Sequence, residues 1–267
     1  MLRFVALALS VAATQVRHRH LCKGVCSRRP VPISLTSPLL SRFPQAGNIA
    51  SYAPPTNVVE HAEIDLDQEE IETELKKKTD AGYAAAKTIY DDGKYSTKSS
   101  GMRPISGFSK DLSGEPLFDE FKAYYGDDKF SDIWVTGALT KTKADFTSNG
   151  DADFATVNDD ATREQAVKKG TVFLSIWPYA VHELESALKN CGVDETKSLH
   201  YLDEGVAFYT GSLVGADATG DTKGKVRSSA RDHGLTSNPR LTHIPGHADP
   251  TALRLAPCLS FLTRQAF

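Results

Sequence analysis

Apolar residues recur at helical spacing through most of the chain between residues 67 and 213, and this limits the possible folds more than any other feature. One series runs through Ile71, Leu75 and Ile89, and Gly93 follows it as a helix terminator. Hydrophobic residues make up 40% of the chain, which is enough to form a packed core. The sequence therefore predicts an all-α fold, a helical bundle domain with irregular N- and C-terminal segments.

Punctuating residues predict where several helices begin and end. Asp67 and Glu70 form a D-x-x-E pattern, which predicts an N-cap for the first helix. Pro116 fits the first turn of another helix, and Gly126 fits its end. The aromatic residues of this region are predicted to lie in the core: Phe118, Phe121, Tyr124, Tyr125, Phe130 and Trp134.

A long helix is predicted over residues 160–191, and a last one over residues 199–213. The apolar face of the long helix is predicted to carry Val167, Phe173, Leu174, Trp177, Val181, Leu184 and Leu188. Pro178 interrupts this pattern and cannot donate a hydrogen bond to the carbonyl of Leu174. We therefore expect a bend or break between Leu174 and Val181.

Composition divides the chain into four segments. A short apolar run after Arg3 predicts a signal peptide over residues 1–16, with a buried N-terminal element as the alternative. Residues 17–59 are rich in proline and serine and read as a leader or linker. The helical domain is placed at 60–215, and residues 216–267 are expected to be a low-order tail. Four cysteines fit an oxidising compartment and leave three disulfide pairings open.

Several classes of protein are disfavoured. The net charge of -3 argues against nucleic-acid binding, and no apolar run is long enough for a permanent membrane span. The phosphate-loop, dinucleotide-binding and nucleophile-elbow motifs do not occur in the sequence. His182 and Glu183 begin an H-E-x-x-H motif, but Ser186 ends it. We therefore expect no enzymatic activity, although a two-carboxylate hydrolase stays open as a third class.

His182 and Glu185 form the first candidate metal-binding pair. Their i, i+3 spacing places both side chains on one helix face, where they can hold one cation together, and leaves Glu183 pointing elsewhere. An ordinary helix-face ion pair and a histidine satisfied within the core are the competing interpretations. The second candidate set follows at the same kind of spacing and comprises His200, Asp203 and Glu204, with Tyr209 nearby.

The two sets face each other if their helices are antiparallel. The connection near Gly192 is short, and short connections favour antiparallel neighbours. Carboxylate and phenolate oxygens suit a hard ferric ion, and imidazole is an acceptable ligand. The predicted ligands are therefore His182, Glu185, Asp203, Glu204 and Tyr209.

The segment YLDEGVAFYTGSLVG at residues 201–215 carries a family resemblance. It resembles the D-E-G-V-A-F-Y-T-G-S-L signature of the low-iron-inducible periplasmic proteins of algae, which are related to the phytotransferrins. Residues 118–134, 151–171 and 177–191 are similar to further segments of that family. The resemblance covers roughly residues 65–215, whereas the unpatterned tail departs from it.

This resemblance implies a secreted, periplasmic or cell-surface protein that is made under iron limitation. It implies Fe(III) as the bound ion, with carbonate as a synergistic anion, and Arg163 is the nearest candidate to hold that anion. Cell-surface uptake machinery or a second copy of the chain are the implied partners. The alternative is a periplasmic or cell-wall structural protein without a metal, in which the signature only packs the bundle. Convergence of the five predicted ligands would favour iron binding.

Overall fold

The computed structural model describes residues 47–220 and 223–232, and over these ranges the chain is the predicted all-α bundle. The described residues do not include the predicted signal peptide, the chain after residue 232, or three of the four cysteines, Cys22, Cys26 and Cys258. The helices are α1 Val59–Ala62, α2 Ile64–Leu75, α3 Asp80–Asp92, α4 Pro116–Tyr125, α5 Phe130–Thr140, α6 Asp160–Gly170, α7 Trp177–Asn190, α8 Glu195–Thr210 and α9 Lys225–Asp232.

Shorter elements connect these helices. Strands β1 (Thr97–Lys98) and β2 (Gly101–Met102) form one antiparallel hairpin, and β3 (Lys143–Ala144) and β4 (Ala152–Asp153) form another. A 3-10 helix, Ile105–Phe108, follows the first hairpin. In the described ranges, none of the helices combines the length and the apolar character that crossing a membrane requires.

The main core lies where α2, α3, α5, α6, α7 and α8 meet. Its fully buried members include Ile64, Ile71, Leu75, Tyr90, Val135, Val167 and Ile176. The predicted aromatic residues form a second cluster, in which Phe118, Tyr125 and Phe130 are buried beside Leu174. Pro116 opens α4, and Gly126 ends it in the left-handed conformation, as the sequence predicts.

The first predicted helix differs from the structure in its start and continuity. It is split into α2 and α3, and Thr79 caps α3 by accepting a backbone N–H. Asp67 lies inside α2 and is no N-cap, because its carboxylate accepts the N–H groups of Lys94 at 2.9 Å and Tyr95 at 2.8 Å instead. Gly93 ends α3 with a φ of 73°, as predicted.

The predicted interruption near Pro178 takes the form of a π helix. Residues Thr171–Ile176 join α6 to α7 in this wider helical form, and Pro178 stands in the first turn of α7. The ring of a proline clashes with the carbonyl four residues earlier in a regular α-helix. A wider turn relieves that clash, because the hydrogen bonds of a π helix join residues five apart rather than four apart.

The packed part of the chain extends beyond the predicted boundaries of 60 and 215. In the predicted linker, Ile49, Tyr52 and Val58 are buried against the bundle. In the predicted low-order tail, α9 packs through Val226, which is 2% exposed, and Lys225 Nζ contacts the buried Glu72 carboxylate at 3.2 Å. The sequence analysis did not place these short segments in the domain because they have no helical period of their own. They are ordered by contacts with the bundle, which involve residues far away in the sequence.

Gly211 ends α8 at a turn that only glycine suits. Its φ is 79°, and a Cβ atom there would stand 2.2 Å from Asp65 Oδ2. The same Asp65 carboxylate accepts hydrogen bonds from Ser212 Oγ at 2.7 Å and Leu213 N at 2.8 Å. The G-S-L sequence at residues 211–213 therefore links the end of α8 to the start of α2 through hydrogen bonds to Asp65.

We expect Gly211→Ala to lower the free energy of unfolding by about 3 kcal/mol, because it adds backbone strain and also displaces Asp65. Gly192→Ala is the matched control, since Gly192 has a φ of 76° and no atom within 4 Å of the added Cβ. Gly192→Ala should lower the free energy of unfolding by only about 1 kcal/mol, the cost of a left-handed backbone conformation at alanine. Urea unfolding measures both changes, and equal costs would show that the Asp65 contact contributes nothing.

Candidate metal centre

Helices α7 and α8 lie side by side and run in opposite directions, as the short connection predicts. Ser198 Oγ near the start of α8 donates to the carbonyl of Ala187 at 2.7 Å, near the end of α7. Further along, a Cβ on Gly205 would lie 2.8 Å from Leu184 Cγ and 3.3 Å from the Ala180 carbonyl. The absence of a side chain at Gly205 therefore brings the two helices close together at mid-length.

A group of buried and partly buried ionisable side chains lies where the helices are closest. It comprises Glu183 and Tyr179 from α7, Glu204 from α8, His61 from α1, and Arg103 from the segment after β2; we call it the inner polar cluster. Glu183 is 3% exposed, and its carboxyl interacts with the Tyr179 hydroxyl and the Glu204 carboxyl. In the part of the chain that the structure describes, the buried Glu183 Oε2 has no hydrogen-bond partner.

The two carboxyl groups of the cluster have different charge states near neutral pH. Burial, together with the adjacent negative charge of Glu204, raises the pKa of Glu183 to about 8. Burial alone also raises the pKa of Glu204, but the hydrogen bond and charge of His61 outweigh this effect and lower it. His61 Nε2 lies 2.8 Å from Glu204 Oε1. The opposite directions of these two shifts favour a neutral Glu183 beside an ionised Glu204.

Aromatic rings form an apolar wall around the pair. The ring centroids of Phe108 and Tyr179 are 4.6 Å apart, and those of Phe108 and Phe208 are 5.2 Å apart. The His61 ring packs against Phe208 at 5.5 Å. Glu183, whose carboxyl interacts with Tyr179 of this group, is 3% exposed, and its burial disfavours the ionised form.

Cationic side chains border the open side of the cluster. His200 Nε2 lies 3.5 Å from Glu204 Oε1, and Lys110 Nζ donates to the Tyr179 hydroxyl at 3.2 Å. Burial lowers the pKa of Arg103, although the negative charge of Glu204 opposes the change. Arg103 is held in place by its Nη1, which donates to the carbonyl of Thr97 at 2.7 Å. The border can attract anions to a position beside the carboxyl pair.

The first predicted pair, His182 and Glu185, lies outside the inner polar cluster. His182 Nδ1 lies 2.6 Å from Glu115 Oε1, and this hydrogen bond links α7 to the start of α4. Burial and the charge of Glu115 raise the pKa of Glu185. Glu183 points away from this pair, as expected, but it points into the helix interface and is the buried residue of the stretch.

The second predicted set is divided between different surroundings. Glu204 belongs to the inner polar cluster, whereas the fully buried Asp203 accepts hydrogen bonds from Tyr52 and Thr56. Tyr209 is partly buried against the main core. Across residues 47–220 and 223–232, no three His, Cys, Asp or Glu side chains are arranged to hold a metal ion. The five predicted ligands are therefore not assembled in this structure, and their role in binding iron stays a prediction.

Arg163, the residue predicted to hold carbonate, is buried in the bundle. Its Nε donates to the carbonyl of Ala138 at 3.3 Å, and its Nη2 donates to that of Leu139 at 3.2 Å. The guanidinium carbon also stands 3.8 Å from the centroid of the Tyr83 ring. Arg163 therefore satisfies the carbonyl end of α5 and lies against an aromatic face.

Sequence reasoning missed Tyr179, Glu183, His61 and Arg103. Tyr179 and Glu183 are four residues apart on α7, so a search for i, i+4 pairs on that helix could have found them. His61 and Arg103 carry no local signal, because their position beside Glu204 depends on the packing of distant segments.

Comparison with known proteins adds one finding. A family model described as low iron-inducible periplasmic protein matches residues 41–234 of the chain. The search of curated proteins and the search of solved structures each returned no match.

Proposed function

Because the chain belongs to the low iron-inducible periplasmic protein family, we propose that it binds ferric iron outside the cell and serves iron assimilation under iron limitation. The observation that carries this proposal is the contact between the buried carboxyl of Glu183 and the partly buried carboxyl of Glu204, beside the phenol of Tyr179. In this proposal the ion is cargo that is taken up and passed on. Cell-surface uptake machinery or a second copy of the chain is the proposed recipient.

The chemistry of the inner polar cluster suits a hard trivalent cation. Two carboxylates and a phenolate supply only oxygen ligands, and imidazole from His61 adds an acceptable nitrogen. Two like charges in an apolar surrounding repel each other, and here a proton on Glu183 relieves that repulsion. A ferric ion would replace this proton and also the hydrogen bond between His61 and Glu204. The side chains must move by a rotamer adjustment to coordinate it, since they are not yet arranged around an ion.

We place the proposed carbonate at Arg103. The guanidinium of Arg163 donates hydrogen bonds to backbone carbonyls. Arg103, in contrast, interacts electrostatically with Glu204 and Tyr179 of the inner polar cluster. A small anion beside Arg103 could share the ion with the carboxylates and offset part of its charge. This assignment moves the anion site from α6 to the loop after β2.

Ferric titration tests the proposal. A chelated ferric salt is titrated into the purified protein with and without bicarbonate, and visible absorption reports iron bound to phenolate. We expect saturable binding of one ion per chain that is stronger with bicarbonate. Arg103→Gln should remove most of the bicarbonate effect, whereas Lys98→Gln, at an exposed position, should not. A structural protein without a metal would give neither saturation nor the absorption band.

A further inference from the structure

An N-terminal segment of the structure, residues 49–62, packs on α8 separately from the main core; we call it the strap. Its buried residues Ile49, Val58 and Ala62 form a small cluster of their own with Ala207. A cluster of this size buries little apolar area, so the strap is held mainly by its polar contacts.

Asp203 accepts three of the strap's hydrogen bonds. The carboxylate of this fully buried residue accepts hydrogen bonds from the Thr56 backbone N–H at 2.9 Å, from the Thr56 hydroxyl and from the Tyr52 hydroxyl. His200 Nδ1 lies 3.2 Å from the same Thr56 hydroxyl. Hydrogen bonds to a charged group are stronger than those between neutral groups, so this carboxylate is the principal attachment of the strap.

The turn that begins the strap is itself unfavourable. Ala50 and Ser51 have φ values of 51° and 69°, in the left-handed region where non-glycine residues lose energy. Their N–H groups donate to the carbonyls of Gly215 at 2.9 Å and Ala216 at 2.7 Å. The turn therefore persists because these contacts outweigh its strain, and it would relax if the strap came away.

The far end of the strap reaches the inner polar cluster. His61 Nε2 meets Glu204 there, while in the described residues the buried His61 Nδ1 has no hydrogen-bond partner. His61 is thus held by one hydrogen bond and by ring contact with Phe208. The position of the His61 ring beside Glu204 therefore depends on the position of the strap.

We infer that Asp203 is a positioning residue that latches the strap over the inner polar cluster and thereby sets His61 on Glu204. This inference rests on the proposed function for its consequence: a latched strap slows the entry and release of ferric iron. It also gives Asp203, which precedes Glu204 in the family signature, a role distinct from coordination.

The first experiment needs no iron. Hydrogen exchange of the amides in residues 49–62 and the imidazole ¹⁵N shifts of His61 are measured for wild type and Asp203→Asn. We expect exchange in the strap to rise by about tenfold or more, in line with the loss of one charged hydrogen bond, and the His61 signals to change. Asp159→Asn is the matched control, because Asp159 also accepts a backbone N–H and a threonine hydroxyl at a remote helix start.

The second experiment follows ferric iron. Transfer from the loaded protein to a strong chelator should be about tenfold faster in Asp203→Asn, whereas Thr56→Ser, which keeps both donors, should match wild type. Unchanged strap exchange or unchanged His61 signals in Asp203→Asn would overturn the latch. Faster strap exchange with unchanged iron transfer would overturn the claim that the latched strap slows the entry and release of iron. Failure of the wild type to bind iron would refute the proposed function and leave the iron-free result to decide on the latch.

Discussion

Glu183→Gln is expected to reduce the affinity for ferric iron by about 100-fold or more, because it removes a negative ligand while keeping the size of the side chain. Glutamine cannot neutralise a trivalent ion in the apolar surrounding of Phe108 and Phe208. Glu204→Gln should cause a loss of the same order. Competition titration against a chelator of known affinity measures both effects.

Glu185→Gln is the matched control for this substitution. Glu185 lies on the same helix two residues away, and the sequence pattern alone favours it as the ligand. If the inner polar cluster binds the ion, Glu185→Gln should change the affinity by less than about threefold. A large loss in Glu185→Gln together with wild-type binding in Glu183→Gln would mean that the ion lies on the other face of α7.

The iron-free protein is expected to lose stability as the pH rises from about 4.5 to about 8. The folded state raises the pKa of Glu183 from 4.5 to about 8, so it binds more protons than the unfolded state within this window. The contribution is fully present below pH 4.5 and is lost as the pH passes through 8. One pKa unit corresponds to about 1.4 kcal/mol, so the loss should reach a few kcal/mol.

Urea unfolding at a series of pH values measures this slope, and Glu183→Gln should flatten it. Asp65 contributes in the same direction between about pH 4 and 6, since burial raises its pKa to about 6. The slope between pH 6 and 8 is therefore the diagnostic part. The other charged groups that face Glu183 are Glu204, His61, Arg103, Lys110 and His200, and all are retained in the variant. An identical slope in wild type and variant would contradict the assignment of the proton to Glu183.

Iron binding should show the opposite dependence on pH. The proton on Glu183 must leave before the ion binds, so affinity is expected to increase with pH up to about 8. This follows from the same pKa as the stability slope, and the two measurements therefore check each other.

The helices were predictable because their signals are local. Pro116 and Gly126 mark the ends of α4, and the series Ile71, Leu75 and Ile89 marks the buried face of α2 and α3. Segments without a period of their own were not predictable. The strap is ordered by Asp203, and α9 by Glu72, which are partners about 150 residues away.

The candidate site was predicted only in outline. The pairing of α7 with α8 follows from the short connection between these helices, whereas the connection does not determine that Glu204 points inward. A regular helical period does not predict which face of α7 is buried. Val181 and Leu184 are only partly buried, and Leu188 is exposed, whereas Ala180, Glu183 and Ala187 are buried. A single period fitted across residues 160–191 crosses the π helix and therefore selects the wrong phase for α7.

The π helix makes the inner polar cluster sensitive to the length of the chain as well as to the identity of its residues. Each residue advances an α-helix by about 100°, so a chain with one residue fewer between 171 and 176 would rotate α7 by that angle relative to α6. Every side chain of the cluster would still be present, yet Glu183 would turn away from Glu204. A related chain with a one-residue gap at this position in an alignment would therefore have the same residues as this cluster but not the same spatial arrangement.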